Sequence, residues 1–197
     1  MEAADELANV ANQRSRYRWR LYRVILYLLV YTGMRKSEVR GLRWCDVDLV
    51  NNLIRVRQRA DKLNNIGVPK TAGSRRTIPI PDDLQSILVD WRNHSNPGDE
   101  ELVVKTRRGT PISESNIQNR FWVPVQEKAR VDRLPLHSLR HYYASALIDS
   151  GLDVVKVASL MGHETASFTL RFYAHLFTKR EQMGTALRDA INQGLRG

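Results

Sequence analysis

The sequence predicts a mainly α-helical domain with one small antiparallel β-sheet, an α+β fold. Three observations carry this. A dense apolar run from Leu21 to Tyr31 reads as a helix passing through a core. Between residues 48 and 80, alternating polarity and turn residues read as paired strands. After Ser113 the chain reads as helix, with stops at Gly151, Gly162 and Gly184.

Taken in order, "LYRVILYLLVY" is too short to span a bilayer and carries Arg23, so it belongs to a protein interior. Gly33 ends it, and "MRKSEVRGL" restarts a short helix that stops near Gly41. "VDLVNNLIRVRQ" is a strand approached through an Asn51-Asn52 turn, with Ile54 and Val56 on one face. Arg55, Arg57 and Arg59 share the other face, solvated or tracking a DNA backbone. A second strand, "SRRTIPI", follows the loop "NNIGVPKTAG". Pro81 with Asp82 and Asp83 is good first-turn chemistry for the helix "PDDLQSILVDWRNH". "NPGDEELVVKTRRGTPIS" reads as loop, short strand and turn. Ser113 caps the next helix, which Pro124 should kink or interrupt.

No stretch reads as an interdomain linker, so residues 1–197 are taken as a single domain. Lys plus Arg number 31 against 21 Asp plus Glu, a formal net charge of +10, which points to nucleic acid before an anionic membrane. The lone Cys45 rules out an intrachain disulfide and a thiolate-rich metal site, and fits a reducing, cytoplasmic setting. The N-terminal residues are acidic and then basic, without the apolar segment of a signal peptide.

Within "PLHSLRHYYASALIDSG", spacings of three and four gather His137, Arg140 and His141 on one side of a helix. An HxxxH pair can hold zinc, but no glutamate of HExxH is present and Arg140, a fixed cation, shares the face. A structural histidine pair in a core is the bland reading. An anion fits better: the guanidinium forks it, the imidazoles donate, and a helix starting near Ser138 adds its positive end. Elsewhere, "YTGMRKSEVRGL" presents Arg35 after a glycine break, with Glu38 three residues on. It lacks the first glycine of a P-loop and no strand precedes it, which excludes nucleotide binding of that kind. "PKTAGSRRTIPI" presents Lys70 in a loop, and "LMGHETASFTLRFYAHL" presents His163 and Tyr173.

In order and spacing, TGMRKSE, PKTAGSRRTIPI, HSLRH, LMGH and TLRFYAH resemble the catalytic domain of the tyrosine recombinase (phage integrase) family, from about Leu21 to Leu176. The resemblance implies that family's catalytic-domain fold and a site-specific recombinase that cuts and rejoins double-stranded DNA through a 3′-phosphotyrosyl intermediate. It implies Tyr173 as nucleophile, Arg35 and Arg140 as phosphate clamp, and His137 and His163 as hydrogen-bonding or acid-base groups. Lys70 becomes the acid for the leaving oxygen, with Glu38 and His141 supporting; no cofactor, metal or ATP is expected. Ser138, where the family often has an acid, is expected to cap its helix. Two arginine forks suit the charge that builds on the nonbridging oxygens, and a cationic pocket favours the phenolate of a residue whose free pKa is about 10.

Of the other tyrosines, Tyr17, Tyr22, Tyr27 and Tyr31 are assigned to core or interface, and Tyr142 and Tyr143 to packing; His94 and His175 are left at the surface. A helix-turn-helix binder built on the two helices around Gly162, an inactive DNA-binding relative and a type IB topoisomerase remain as alternatives. The family's N-terminal DNA-binding domain has no counterpart in the sequence, so a fragment or truncated relative with weakened site recognition is expected. Residues 178–197 read as a tail helix with Met183, Leu187 and Ile191 on one stripe. In the family such tails couple neighbouring protomers on DNA, in an expected tetrameric synapse; docking on its own domain is the alternative.

Overall fold

The computed structural model describes residues 1–10, 13–69 and 72–194. Helix α1 (Glu2–Val10) leads into α2 (Gln13–Thr32), the axis of the molecule. Ile25 and Leu28 are wholly buried, because α1, α4 (Asp82–Ser95) and α7 (Ser138–Asp149) all pack on α2. A helix covered on several sides needs apolar residues at more than one stripe, which explains the density of Leu21–Tyr31. At its end Gly33 has φ +58, and a Cβ there would lie 2.2 Å from Tyr143 Cδ1. Neither the backbone nor the space admits a side chain.

The short α3 (Lys36–Gly41) follows, with Glu38 accepting from the Arg35 backbone N–H at 2.8 Å. Then β1 (Val47–Asp48), β2 (Leu53–Val56) and β5 (Arg76–Pro79) form an antiparallel sheet in the order β1-β2-β5. The register pairs Ile54 with Ile78 and Val56 with Arg76, and both isoleucines are buried. The strand region is not one sheet, however. β3 (Arg59–Ala60) and β4 (Ile66–Gly67) pair separately, so Arg59 does not continue the face of Arg55 and Arg57. The chain leaves the ladder after Val56 to pass the end of α3. There Gln58 donates to the Gly41 carbonyl at 2.7 Å, and a Cβ on Gly41 would meet the Arg59 backbone at 2.7 Å.

No strand forms in residues 96–113; two isolated bridges, Arg43 to Leu102 and Lys105 to Pro111, tie that segment down. Ser113 caps α5 (Glu114–Ile117), accepting from the Asn116 N–H at 3.2 Å. The interruption expected at Pro124 takes the form of a π-turn over Gln118–Trp122, where the Val123 N–H reaches back to the Gln118 carbonyl, before the chain continues as α6 (Val123–Ala129). A wider turn accommodates the missing N–H and the ring of proline.

The C-terminal part is α7, α8 (Val154–Met161) and α9 (Ala166–Gly194). Asp153 caps α8 through the Val155 and Lys156 N–H groups, and Gly162, at φ +64, ends it. Ser138 makes no cap: it is the first helical residue, and His137 holds the cap position without a side-chain bond. Gly184 does not stop α9, and the tail is a continuation of the helix that bears Tyr173 rather than a separate one. One internal glycine costs only about 1 kcal/mol, too little to end an established helix. Met183 is exposed; the side chains of Leu187 and Ile191 lie outside the described residues. Tyr143, Ala144, Ile148, Val157, Met161 and Tyr173 form a second, smaller core that holds α7, α8 and α9 together.

Candidate active site

Four elements of distant sequence meet at the C-terminal end of α2. Arg35, His137, Arg140, His141, His163, Phe168, Phe172 and Tyr173 line one recess of about 210 Å³. The glycine turn after α2 supplies Arg35, the first turns of α7 supply His137, Arg140 and His141, the end of α8 supplies His163, and α9 supplies Tyr173. Lys70 lies outside the described residues.

Arg140 is 4% exposed. It donates to the carbonyls of Gly33 and Met161, one from each terminal nitrogen, which fixes its plane between the end of α2 and the end of α8. Nε–H and one N–H on each terminal nitrogen remain for an anion. Burial, with the like charges of Arg35 and Arg76, pushes Arg140 down to about 9, while Glu38 opposes the shift. It is therefore a cation at neutral pH. Arg35 is more open; it donates to Glu38 Oε1 at 2.9 Å, Ser74 Oγ at 3.4 Å and the Gly162 carbonyl at 3.0 Å. Glu38 is buried, and although burial raises its pKa, the Arg76 charge and hydrogen bond and the Arg35 contacts bring it below the usual carboxylate value.

His163 and His137 contribute no positive charge of that kind. Burial first, then Arg140 and Arg35, drives His163 down to about 4, so it is neutral at pH 7, and its Nδ1 lies 2.8 Å from Thr169 Oγ1. His137 is lowered too, by burial and then by His141 and Arg140. Tyr173 is nearly buried, and its hydroxyl lies 2.7 Å from His141 Nδ1. Burial raises its pKa and Arg140 only partly offsets this. A cationic pocket was expected to favour the phenolate; here desolvation wins, so the phenol keeps its proton until a base removes it.

Arg76 went unremarked in the sequence. Its side chain is 4% exposed, and both terminal nitrogens donate to Glu38, at 3.2 and 3.0 Å. The signal was strand parity: Arg76 shares the inward face with Ile78, and an arginine there must have a buried partner. Thr169, wholly buried beside His163, carried no such signal. Of the residues set aside, Tyr143 packs against Gly33, Tyr22 stacks on Phe121, and Tyr142 is exposed rather than packed. Among the described residues no cluster of His, Cys, Asp or Glu is placed to hold a metal ion, and no helix is long and apolar enough to cross a membrane.

The model of the phage integrase family matches residues 2–180. The chain belongs to that family. Among curated proteins it is similar to a XerC-like tyrosine recombinase of Caldanaerobacter subterraneus subsp. tengcongensis, at 29% identity over 79% of this chain and 46% of the relative. Tyrosine recombinase XerC of Xylella fastidiosa is 32% identical over 78% of this chain and 48% of the relative. The chain thus spans about half the length of the curated relatives it matches. Its fold is similar to the Tn1549 transposon integrase in complex with transposon right end DNA (TM-score 0.72, 21% identity, 94% of this chain and 62% of that one). It is also similar to XerA recombinase (TM-score 0.66, 24% identity, 98% and 63%). The mainly helical fold with its small sheet is that of tyrosine recombinase catalytic domains.

Proposed function

We propose that this chain is the catalytic part of a site-specific DNA recombinase that cleaves and rejoins strands through a 3′-phosphotyrosyl intermediate. One observation carries the reading: the Tyr173 hydroxyl sits 2.7 Å from His141 Nδ1 in the recess that Arg35 and Arg140 line. In this reading Arg35 and Arg140 hold the nonbridging oxygens of one phosphodiester, and neutral His137 and His163 donate to it. A Thr169 hydroxyl donating to His163 Nδ1 leaves Nε2 to carry the proton. As the Tyr173 oxygen bonds to phosphorus, its proton passes to His141 and the bond to the 5′ oxygen breaks. Lys70 gives that oxygen its proton. A 5′ hydroxyl of another strand then attacks the phosphotyrosine, and the same groups act in reverse.

The arginines do here what charge neutralisation must do in any phosphoryl transfer, and losing one such donor typically costs about 10²–10³-fold in rate. Double-stranded DNA is the substrate, in keeping with the net charge of +10, and partner protomers on DNA complete a tetrameric synapse.

A nicked duplex whose cleaved product diffuses away traps the covalent adduct. The expected result is an adduct with this chain that Tyr173→Phe abolishes while duplex binding persists. Salt-sensitive retention of DNA without any adduct would instead indicate a binding protein and refute the enzymatic reading.

A further inference from the structure

The carbonyls of Leu160, Met161 and Gly162 close α8, where a helix presents orphan acceptors and the negative end of its dipole. Each accepts from a different arginine. Arg76 Nε reaches Leu160 O at 2.7 Å, Arg140 reaches Met161 O, and Arg35 Nη2 reaches Gly162 O at 3.0 Å. These arginines come from β5, α7 and the turn before α3. Arg35 and Arg140 line the recess; Arg76 does not.

We infer that Arg76 is a positioning residue for the proposed cleavage, locking the end of α8 to Glu38 so that Arg35 and His163 converge on one phosphate. The inference rests on the function proposed above.

The geometry closes a ring. Arg76 binds both oxygens of Glu38; Glu38 binds the Arg35 backbone N–H and guanidinium; Arg35 binds Gly162 O; and the chain runs back through Met161 to Leu160, which Arg76 holds. His163 follows Gly162 directly, so its backbone is set by this ring. Gly162 is also where the ring is tightest: a Cβ there would lie 2.8 Å from Arg76 Nη1. Charge makes the same demand. Glu38 shared between two guanidiniums leaves Arg35 with positive charge to offer; paired with Arg35 alone, it would take that charge from the phosphate. Lysine cannot substitute, because one ammonium does not span the Leu160 carbonyl and a bidentate carboxylate.

The test compares wild type, Arg76→Gln and Arg76→Lys for duplex affinity by fluorescence anisotropy and for single-turnover adduct formation at saturating nicked duplex. Urea unfolding checks the fold of each. The expected result is an adduct rate lower by about 10²-fold in Arg76→Gln, the scale of an ångström of misplacement, with affinity changed less than about threefold. Arg76→Lys should not restore the rate. A folded variant that forms adduct within about twofold of the wild-type rate overturns the inference, and so does a loss confined to affinity, which would mean direct DNA contact. If Arg76→Gln lacks a cooperative transition, Arg76→Lys decides; if both lack one, the role is purely structural and the inference falls. Absence of any adduct from wild type would sink the proposed function and this inference with it, whereas a wild-type adduct with indifferent Arg76 variants sinks this inference alone.

Discussion

Gly33→Ala probes the joint on which the recess is hung. The alanine would hold φ +58, the left-handed region, at a cost of about 1–2 kcal/mol. Its Cβ would lie 2.2 Å from Tyr143 Cδ1 and 2.9 Å from Cε1 and Cγ. Ordinary carbon contact begins near about 3.5 Å, so the ring must withdraw by over about 1 Å. Tyr143 has little room to do so, being packed with Ala144, Ile148, Val157, Met161 and Tyr173. Overpacking of this kind costs about 1–3 kcal/mol, giving a combined destabilisation of about 2–5 kcal/mol. The strain also reaches the site, since the Gly33 carbonyl accepts from Arg140 and Tyr173 touches the same core. Urea unfolding of Gly33→Ala, alone and in a Tyr143→Ala background, separates the two contributions. With the ring gone, only the backbone strain of about 1–2 kcal/mol should remain. A cost below about 1 kcal/mol, or the same cost in both backgrounds, would refute the packing argument.

Glu38→Gln should destabilise by about 3–5 kcal/mol, since a buried carboxylate between guanidiniums is removed. Each Glu38 oxygen accepts from both arginines, so either amide orientation turns donors against donors; urea unfolding showing under about 1 kcal/mol would contradict this. A pH series tests His163, held at about 4 against an ordinary 6.5. Between those values the unfolded chain binds a proton that the folded chain refuses, so unfolding free energy should fall as pH drops from 6.5 towards 4. His163→Asn should show a shallower fall over that window, and an unchanged slope would refute the assignment.

Much of this protein is legible in one dimension because the relevant physics is local. A run as apolar as Leu21–Tyr31 has nowhere to go but the interior, and Gly33 and Gly162 mark where two helices must end. Residue type also bounds the chemistry: arginines and imidazoles gathered on one face suit an anion. The errors fall where sequence neighbours do not decide. Arg59 leaves the face of Arg57 where its backbone passes close against Gly41, remote in sequence. Gly184 passes unnoticed inside α9.

Sequence by itself determined the inventory of this site: which side chains are available and what each can donate, accept or ionise. Tertiary structure alone decided their arrangement and their protonation. Arg140 finds the Gly33 carbonyl 107 residues away and Arg35 finds Gly162 127 residues away. Those contacts turn the carbonyl-bearing end of one helix into a seat for three arginines. Burial then raises the Tyr173 phenol and lowers the imidazoles of His137 and His163, because removing water penalises whichever form of each group is charged.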